Sequence, residues 1–120
     1  FGLVLFWASW KIIRDSLAIL LQGTPKELDL DAVIAAIEAT PGVVGVHHVH
    51  AWSLTSGRNV FSGHVCVADP ARGQQVLEQV SALLSDRFGI YFSTVQIEQR
   101  CRAGEDAAAE IDIMRALARP

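Results

Sequence analysis

The hydrophobic pattern divides the chain into a strongly apolar opening and a more mixed remainder. Residues 1–10 are almost wholly apolar, and the first charged residues follow at Lys11, Arg14 and Asp15. The apolar pattern then continues as far as Gly23, a residue type that commonly ends helices. The pattern therefore predicts one helix that begins near the first residue and ends near Gly23.

This opening helix has the composition of the inner end of a membrane-spanning helix. A helix needs about 20 apolar residues to cross a bilayer, and the apolar run here is shorter. Trp7 and Trp10 would lie at the level of the lipid headgroups, as aromatic belts do. Lys11 and Arg14 would then face the cytoplasm. A buried or amphipathic N-terminal helix of a soluble protein is the alternative.

The remainder of the chain predicts an α+β fold. Helical spacing and strand-like alternation predict, in order, a helix over about 32–40, strands over 43–54 and 60–68, a helix over 72–88 and a strand over 90–99. This αββαβ order is typical of a ferredoxin-like fold, with two helices on one face of a three-stranded antiparallel sheet. Since so small a core is marginal alone, we expect a second copy of the chain to cover the open face or edge.

Composition excludes several classes of protein. The chain is 51% hydrophobic and 19% charged, which excludes a disordered protein. Its net charge of −3 provides no basic surface for nucleic acid. Its two cysteines match neither a zinc ribbon nor a disulfide framework. Because no catalytic triad motif, phosphate-binding glycine loop or HExxH is present, the sequence predicts no enzyme.

The four histidines of the chain are clustered in one short window, at His47, His48, His50 and His64. Neutral imidazole is a common ligand for zinc, copper and nickel. A hairpin would bring His64 opposite the other three, but the pattern leaves open which of them faces it. Strict alternation groups His48 with His50 and places His47 on the other face, together with Val49 and Ala51.

A carboxylate and a thiolate could complete a metal site that the histidines begin. Glu98 lies at the end of the predicted third strand and Cys101 just beyond it, and zinc accepts mixed N, O and S ligands. Cys66 lies between two valines and is expected to be a small buried hydrophobic residue. His50, beside Trp52, is expected to pack or to donate a hydrogen bond rather than to bind metal.

Three segments of the chain resemble the cation diffusion facilitator family. They are WKIIRDSLAILLQGTP (10–25), DLDAVIAAIEATPGVVGVHHVHAWSLTSGRNVFSGHVCV (29–67) and FGIYFSTVQIEQ (88–99). The pattern HxxHxWSLTSG…HV is specific, and it is most similar to the cobalt–zinc–cadmium efflux branch. The resemblance covers residues 1–101.

This resemblance implies the cytoplasmic part of a proton-coupled exporter of divalent metal (zinc, cadmium, cobalt or nickel). Residues 1–25 would be the end of a sixth membrane helix and its connector. Residues 26–101 would be a cytoplasmic domain that forms a homodimer and binds metal. Residues 102–120 would be a polar tail with a thin apolar stripe that predicts a last helix. The membrane would be a bacterial inner or plasma membrane.

The resemblance also implies roles for individual residues. The family's cytoplasmic metal ligands correspond to His47, His64 and Glu98. Asp15 corresponds to an aspartate that pairs with a lysine of the third membrane helix. Three residues are further candidate ligands: His48, His50 and Cys101.

Three other functions compete with metal sensing. A purely structural dimerisation module would have the same dimer stability with zinc and with a chelator. A metallochaperone-like domain usually carries a paired-cysteine loop, and an acylphosphatase-like enzyme needs an anion-binding arginine loop. The sequence contains neither loop.

Overall fold

The elements follow the predicted αββαβ order after one long helix. The computed structural model of the protein describes residues 1–101, and the tail at 102–120, for which a last helix was predicted, lies outside the described residues. The elements are α1 (Gly2–Leu20), α2 (Leu30–Glu38), β1 (Val43–Thr55), β2 (Arg58–Val67), α3 (Gly73–Phe88) and β3 (Phe92–Glu98), with a short 3-10 turn (Pro70–Arg72) before α3.

Local signals in the sequence define the ends of the two domain helices. The side chain of Asp29 accepts a hydrogen bond of 3.1 Å from the backbone N–H of Ala32 and so caps the start of α2. At the end of α3, Gly89 adopts the left-handed conformation with φ 65°, which lets the chain turn towards β3. Helix α3 therefore ends at Phe88 as predicted, whereas α2 both begins and ends two residues earlier than the predicted range 32–40.

The sheet is mixed, and the prediction of an antiparallel sheet was wrong for one of its two strand pairs. Its order is β1-β2-β3, with β1 and β2 antiparallel and β2 and β3 parallel. The reason is the connection: α3 lies between β2 and β3 and carries the chain back to the end at which β2 began. Such a crossover makes consecutive strands parallel. As a result, β2 and β3 end side by side.

The hydrophobic core lies between one face of this sheet and helices α2 and α3. Its buried residues are Leu30, Val33, Ile34, Ile37, Val46, Val49, Ala51, Phe61, Val65, Val67, Val76, Val80, Leu84 and Ile90. On β2 the core residues alternate with Ser62, His64 and Cys66, which therefore lie on the opposite face. On β3, Val95 and Ile97 pack against the core, which leaves Glu98 on that same opposite face.

Helix α1 has no buried residue, and its large apolar side chains are exposed except for the half-buried Ile19. Its contacts with the rest of the domain involve β1. Asp15 forms an exposed ion pair with its neighbour Arg14, with 3.9 Å between Nη2 and Oδ1. Within residues 1–101, no helix combines the length and the apolar character that crossing a bilayer would require.

Truncation of a core leucine should destabilise the domain. Leu84 is fully buried, so Leu84→Ala removes packed atoms and leaves a cavity, at a cost of about 2–5 kcal/mol in the free energy of unfolding. Urea unfolding followed by circular dichroism measures this. The control is Leu54→Ala, which changes an exposed leucine and should stay within about 0.5 kcal/mol of the wild type. Equal effects of the two variants would contradict this core.

Candidate metal centre

The β1–β2 hairpin brings His47 directly opposite His64. This answers the question that the sequence left open, namely which of the three β1 histidines faces His64. On the other side of β2, the parallel pairing with β3 places Cys66 beside Glu98. Since β2 is the central strand, its polar face brings together side chains from all three strands.

A β-bulge in β1 positions the histidines. The register shifts between His47 and His50, and His48 has a positive φ of 51°. Val46 and Val49 both belong to the core, although strict alternation would place them on opposite faces. One extra residue lies between them, as in a bulge. The predicted grouping of His47 with Val49 and Ala51 was therefore wrong, because the bulge takes His47 off the core face.

The carboxylate of Glu98 lies between two imidazoles. His47 Nε2 is 2.9 Å from Oε2, and His64 Nδ1 is 2.8 Å from Oε1. His48 completes a cluster of three rings, with its centroid 4.9 Å from that of His47 and 5.0 Å from that of His64. The Nδ1 atoms of His47 and His48 are 2.9 Å apart. His47 therefore directs one ring nitrogen at Glu98 and the other at His48.

One nitrogen of this cluster is not satisfied by hydrogen bonding. Among the described residues, the buried Nδ1 of His64 has no hydrogen-bond partner, because its close approach to Glu98 lacks the angles of a hydrogen bond. A buried polar atom without a partner costs free energy, and a cation bound by this nitrogen together with the carboxylate would remove that cost. The residues present thus fit a bound metal ion.

Burial distinguishes the members of the cluster. His47 is 4% exposed and is the one buried polar or charged residue found among residues 1–101. The side chains of His64 and Glu98 are 30% and 20% exposed. The cluster thus lies at the edge of the core, where an ion could reach it from solvent.

The surroundings of Glu98 favour its ionised form. Burial by itself raises the pKa of the carboxyl group. This effect is outweighed by the hydrogen bond with His47, the charges of His47 and His64, and a hydrogen bond of 2.8 Å donated by Gln96, so the pKa lies below its ordinary value of 4.5. Glu98 is therefore a carboxylate at neutral pH, as a metal ligand must be.

Among residues 1–101, two groups of possible ligand atoms meet at His47, and the atoms of each group lie within 4.8 Å of one another. One contains His47, His48 and His64, and the other contains His47, Cys66 and Glu98. Cys66 is buried as expected, but it was not predicted to be a ligand. Its spacing of two residues from His64 was the available signal, since such residues share a strand face.

The remaining candidates have different positions. Cys101 is paired with Cys66 as a disulfide, with a Cα–Cα distance of 5.5 Å. His50 belongs to neither ligand group. It lies opposite Ser62 and lines a cavity of about 660 Å³ with Trp52 and the C-terminal end of α1. Asp15 belongs to α1, and its predicted role stays a prediction.

Comparison with known proteins identifies the family. The family profile described as "Cation efflux protein, cytoplasmic domain" matches residues 25–100. The chain is 37% identical over 118 residues to the metal cation efflux system protein CzcD of Cupriavidus metallidurans, covering 97% of this chain and 37% of that protein. It is 32% identical over 109 residues to the human proton-coupled zinc antiporter SLC30A2, covering 91% of this chain and 29% of that protein.

A third relative and a solved structure support the same family. The chain is 32% identical over 103 residues to a cadmium, cobalt and zinc/H(+)-K(+) antiporter of Bacillus subtilis, covering 83% of this chain and 33% of that protein. The chain thus spans about a third of the length of these curated relatives. The metal-bound C-terminal domain of the CzcD transporter from Cupriavidus metallidurans matches with a TM-score of 0.54 and 40% identity, over 59% of this chain and 99% of that one.

These matches confirm the resemblance and the α+β fold class, and the relatives are transporters rather than enzymes. Residues 25–100 carry the family's cytoplasmic domain, with a histidine–carboxylate cluster on the polar side of its sheet. The chain belongs to the cation efflux protein family.

Proposed function

We propose that residues 26–101 form a metal-binding and dimerising regulatory domain of a proton-coupled exporter of divalent cations. In this proposal His47, His64 and Glu98 hold the ion, and residues 1–25 connect the domain to the membrane as the inner end of a helix. The observation that carries the proposal is the convergence of two imidazole nitrogens on the two oxygens of one carboxylate, with His64 Nδ1 lacking a hydrogen bond.

The chemistry of these ligands defines the class of ion. Imidazole and carboxylate together suit zinc, cobalt, nickel and cadmium, and they are less suited to calcium or magnesium, which prefer oxygen ligands alone. The names of the relatives support the same class, since they refer to zinc, to cadmium and to cobalt. We therefore assign a divalent cation of the zinc, cobalt, nickel and cadmium class as the ion bound at this site and as the transported cation.

In this site, metal ions and protons compete for the same atoms. In the hydrogen bond between His47 and Glu98, His47 Nε2 carries the proton and donates it, because the ionised carboxylate has no proton to donate. A metal ion needs the lone pair that this proton occupies. Metal binding therefore exchanges this proton for a cation and keeps the three side chains directed at one point.

The bulge provides a route from the metal site to the membrane side. His47 and His48 lie inside the bulge, and His50, two residues further along β1, lines the cavity against the end of α1. If metal binding stabilises one geometry of the bulge, it also stabilises one arrangement of α1 against β1. The metal acts because it binds that arrangement with higher affinity than others. The homodimer would transmit the change in arrangement to both transporter subunits.

A structural dimerisation module is the second candidate. The observation in its favour is that His47 is already satisfied by Glu98 and His48 without any metal.

Sedimentation of the full chain with zinc and with chelator separates the two functions. We expect zinc to shift the population towards a compact dimer, because the ion stabilises the ligands in their converged arrangement. Identical dimer stability in zinc and in chelator would favour the structural module.

Loss of either histidine ligand should weaken metal binding. His47→Ala and His64→Ala each remove one of three ligands, so zinc affinity of the full chain, measured by isothermal titration at pH 7.5, should fall roughly tenfold or more. His50→Ala is the matched control, because His50 lies on the same strand outside both ligand groups, and it should bind zinc as the wild type does. Unchanged affinity in both ligand variants would contradict the site.

Acid should release the metal through the histidines before Glu98 takes up a proton. Imidazole binds metal in its neutral form, so zinc affinity should fall below about pH 6. Glu98, whose pKa is lowered, stays ionised until the pH falls below the ordinary value of 4.5 and contributes to the loss only there. Isothermal titration at pH 7.5 and 5.5 tests this, and equal affinity at both values would contradict histidine ligation.

A further inference from the structure

Two sulfur atoms lie beside the proposed site, and the proposed function makes no use of them. The Sγ of Cys66 lies within 4.8 Å of the ligand atoms of His47 and Glu98. Cys66 is fully buried, yet it lies on the face of β2 that carries His64 rather than among the core valines Val65 and Val67. A role as a small core residue therefore does not account for its position.

Cys101 reaches Cys66 because the neighbouring strand leaves room. Gly45 lies directly opposite Cys66 in the β1–β2 pairing and has no side chain on that face. A Cβ atom at Gly45 would lie 3.9 Å from the Sγ of Cys101, so the cysteine occupies the space in front of this glycine. The Cα atoms of Cys66 and Cys101 are 5.5 Å apart, within the range that a disulfide spans, and the structure pairs them.

The geometry of His47 determines which group is the fourth ligand. Three ligands leave one corner of a tetrahedral zinc site open. His47 directs Nε2 towards Glu98 and Nδ1 towards His48, and one imidazole binds a given ion through only one of these nitrogens. On the Nε2 side, the ligand atoms of His47 and Glu98 form one group with the Sγ of Cys66, and the other oxygen of Glu98 lies 2.8 Å from His64 Nδ1. His48 lies on the Nδ1 side of His47 and does not belong to the group that contains Cys66.

We propose that Cys66 is a thiolate ligand of this site and that Cys101 withdraws it reversibly by forming a disulfide. The proposal rests on the metal site proposed above. With both cysteines reduced, the thiol of Cys66 releases its proton to solvent on metal binding, and four ligands surround the ion. In the disulfide the sulfur of Cys66 is no longer a thiolate and does not bind the ion, so three ligands remain.

The redox step balances with a small-molecule disulfide as the oxidant. The two thiols lose two electrons and two protons and form the Cys66–Cys101 bond, and the oxidant takes them up to become two thiols. Disulfides in the cytoplasm are usually transient and redox-sensing, which fits a domain of a cytoplasmic family better than a permanent cross-link does. The consequence is a site that binds thiophilic cations tightly only under reducing conditions.

Cobalt substitution of the full chain tests the proposal, because a cysteine thiolate bound to cobalt(II) gives a near-ultraviolet charge-transfer absorption that histidine and carboxylate do not. We expect this absorption in the reduced protein and its loss in Cys66→Ser and in the wild type oxidised by glutathione disulfide. Zinc affinity should fall roughly tenfold or more in the same two samples.

Cys101→Ser is the matched variant, because it removes the exposed partner and leaves Cys66 in place. It should keep the charge-transfer absorption and the zinc affinity after treatment with glutathione disulfide and removal of the reagent. Circular dichroism establishes that each variant is folded, and mass spectrometry establishes the loss of two hydrogens in the oxidised wild type.

The outcomes separate this proposal from the one it rests on. If the reduced wild type binds cobalt without the thiolate absorption, the metal site stands and the role of Cys66 is overturned. An absorption that survives Cys66→Ser but not Cys101→Ser overturns the choice of Cys66. If the reduced wild type binds no cobalt or zinc, the proposed function fails, and this inference fails with it.

Discussion

The carboxylate of Glu98 joins the three strands of the domain at one point. Its two oxygens lie 2.9 Å from His47 on β1 and 2.8 Å from His64 on β2. Because His47 is almost fully buried, it needs this partner to offset the cost of removing an imidazole from water. The contact depends in turn on the parallel pairing of β2 and β3, since only that pairing brings the end of β3 beside the end of β2.

The bulge at His48 is the other condition for the site. A residue other than glycine at positive φ costs about 1–3 kcal/mol, and such strain is concentrated at functional sites. Without the extra residue, strict alternation with Val46 in the core would turn His48 into the core and take Val49 out of it. The bulge lets both valines stay buried while His47 and His48 remain on the polar face. The core packing of β1 thus supports an arrangement that the histidines alone would not adopt.

Much of the fold could be predicted from the sequence, and the site only in part. Element order and helix ends follow from local periods and from residues such as Asp29 and Gly89, which act within a few positions of themselves. The direction of β3 was harder to predict from the sequence, because it depends on the end of the sheet to which α3 returns the chain. The bulge depends on the burial of Val46 and Val49 together, and strict alternation cannot indicate it. The flanking valines made Cys66 look like a core residue, although its spacing from His64 pointed the other way.

The proposed regulation requires that a metal ion replace the proton that His47 now donates to Glu98. Nitrogen-15 NMR of the histidine rings in the full chain, with and without zinc, tests that claim most directly. We expect the ring nitrogens of His47 and His64 that face Glu98 to move to metal-bound resonances while those of His50 stay where they are. Unchanged resonances of His47 and His64 in the presence of zinc would contradict the account.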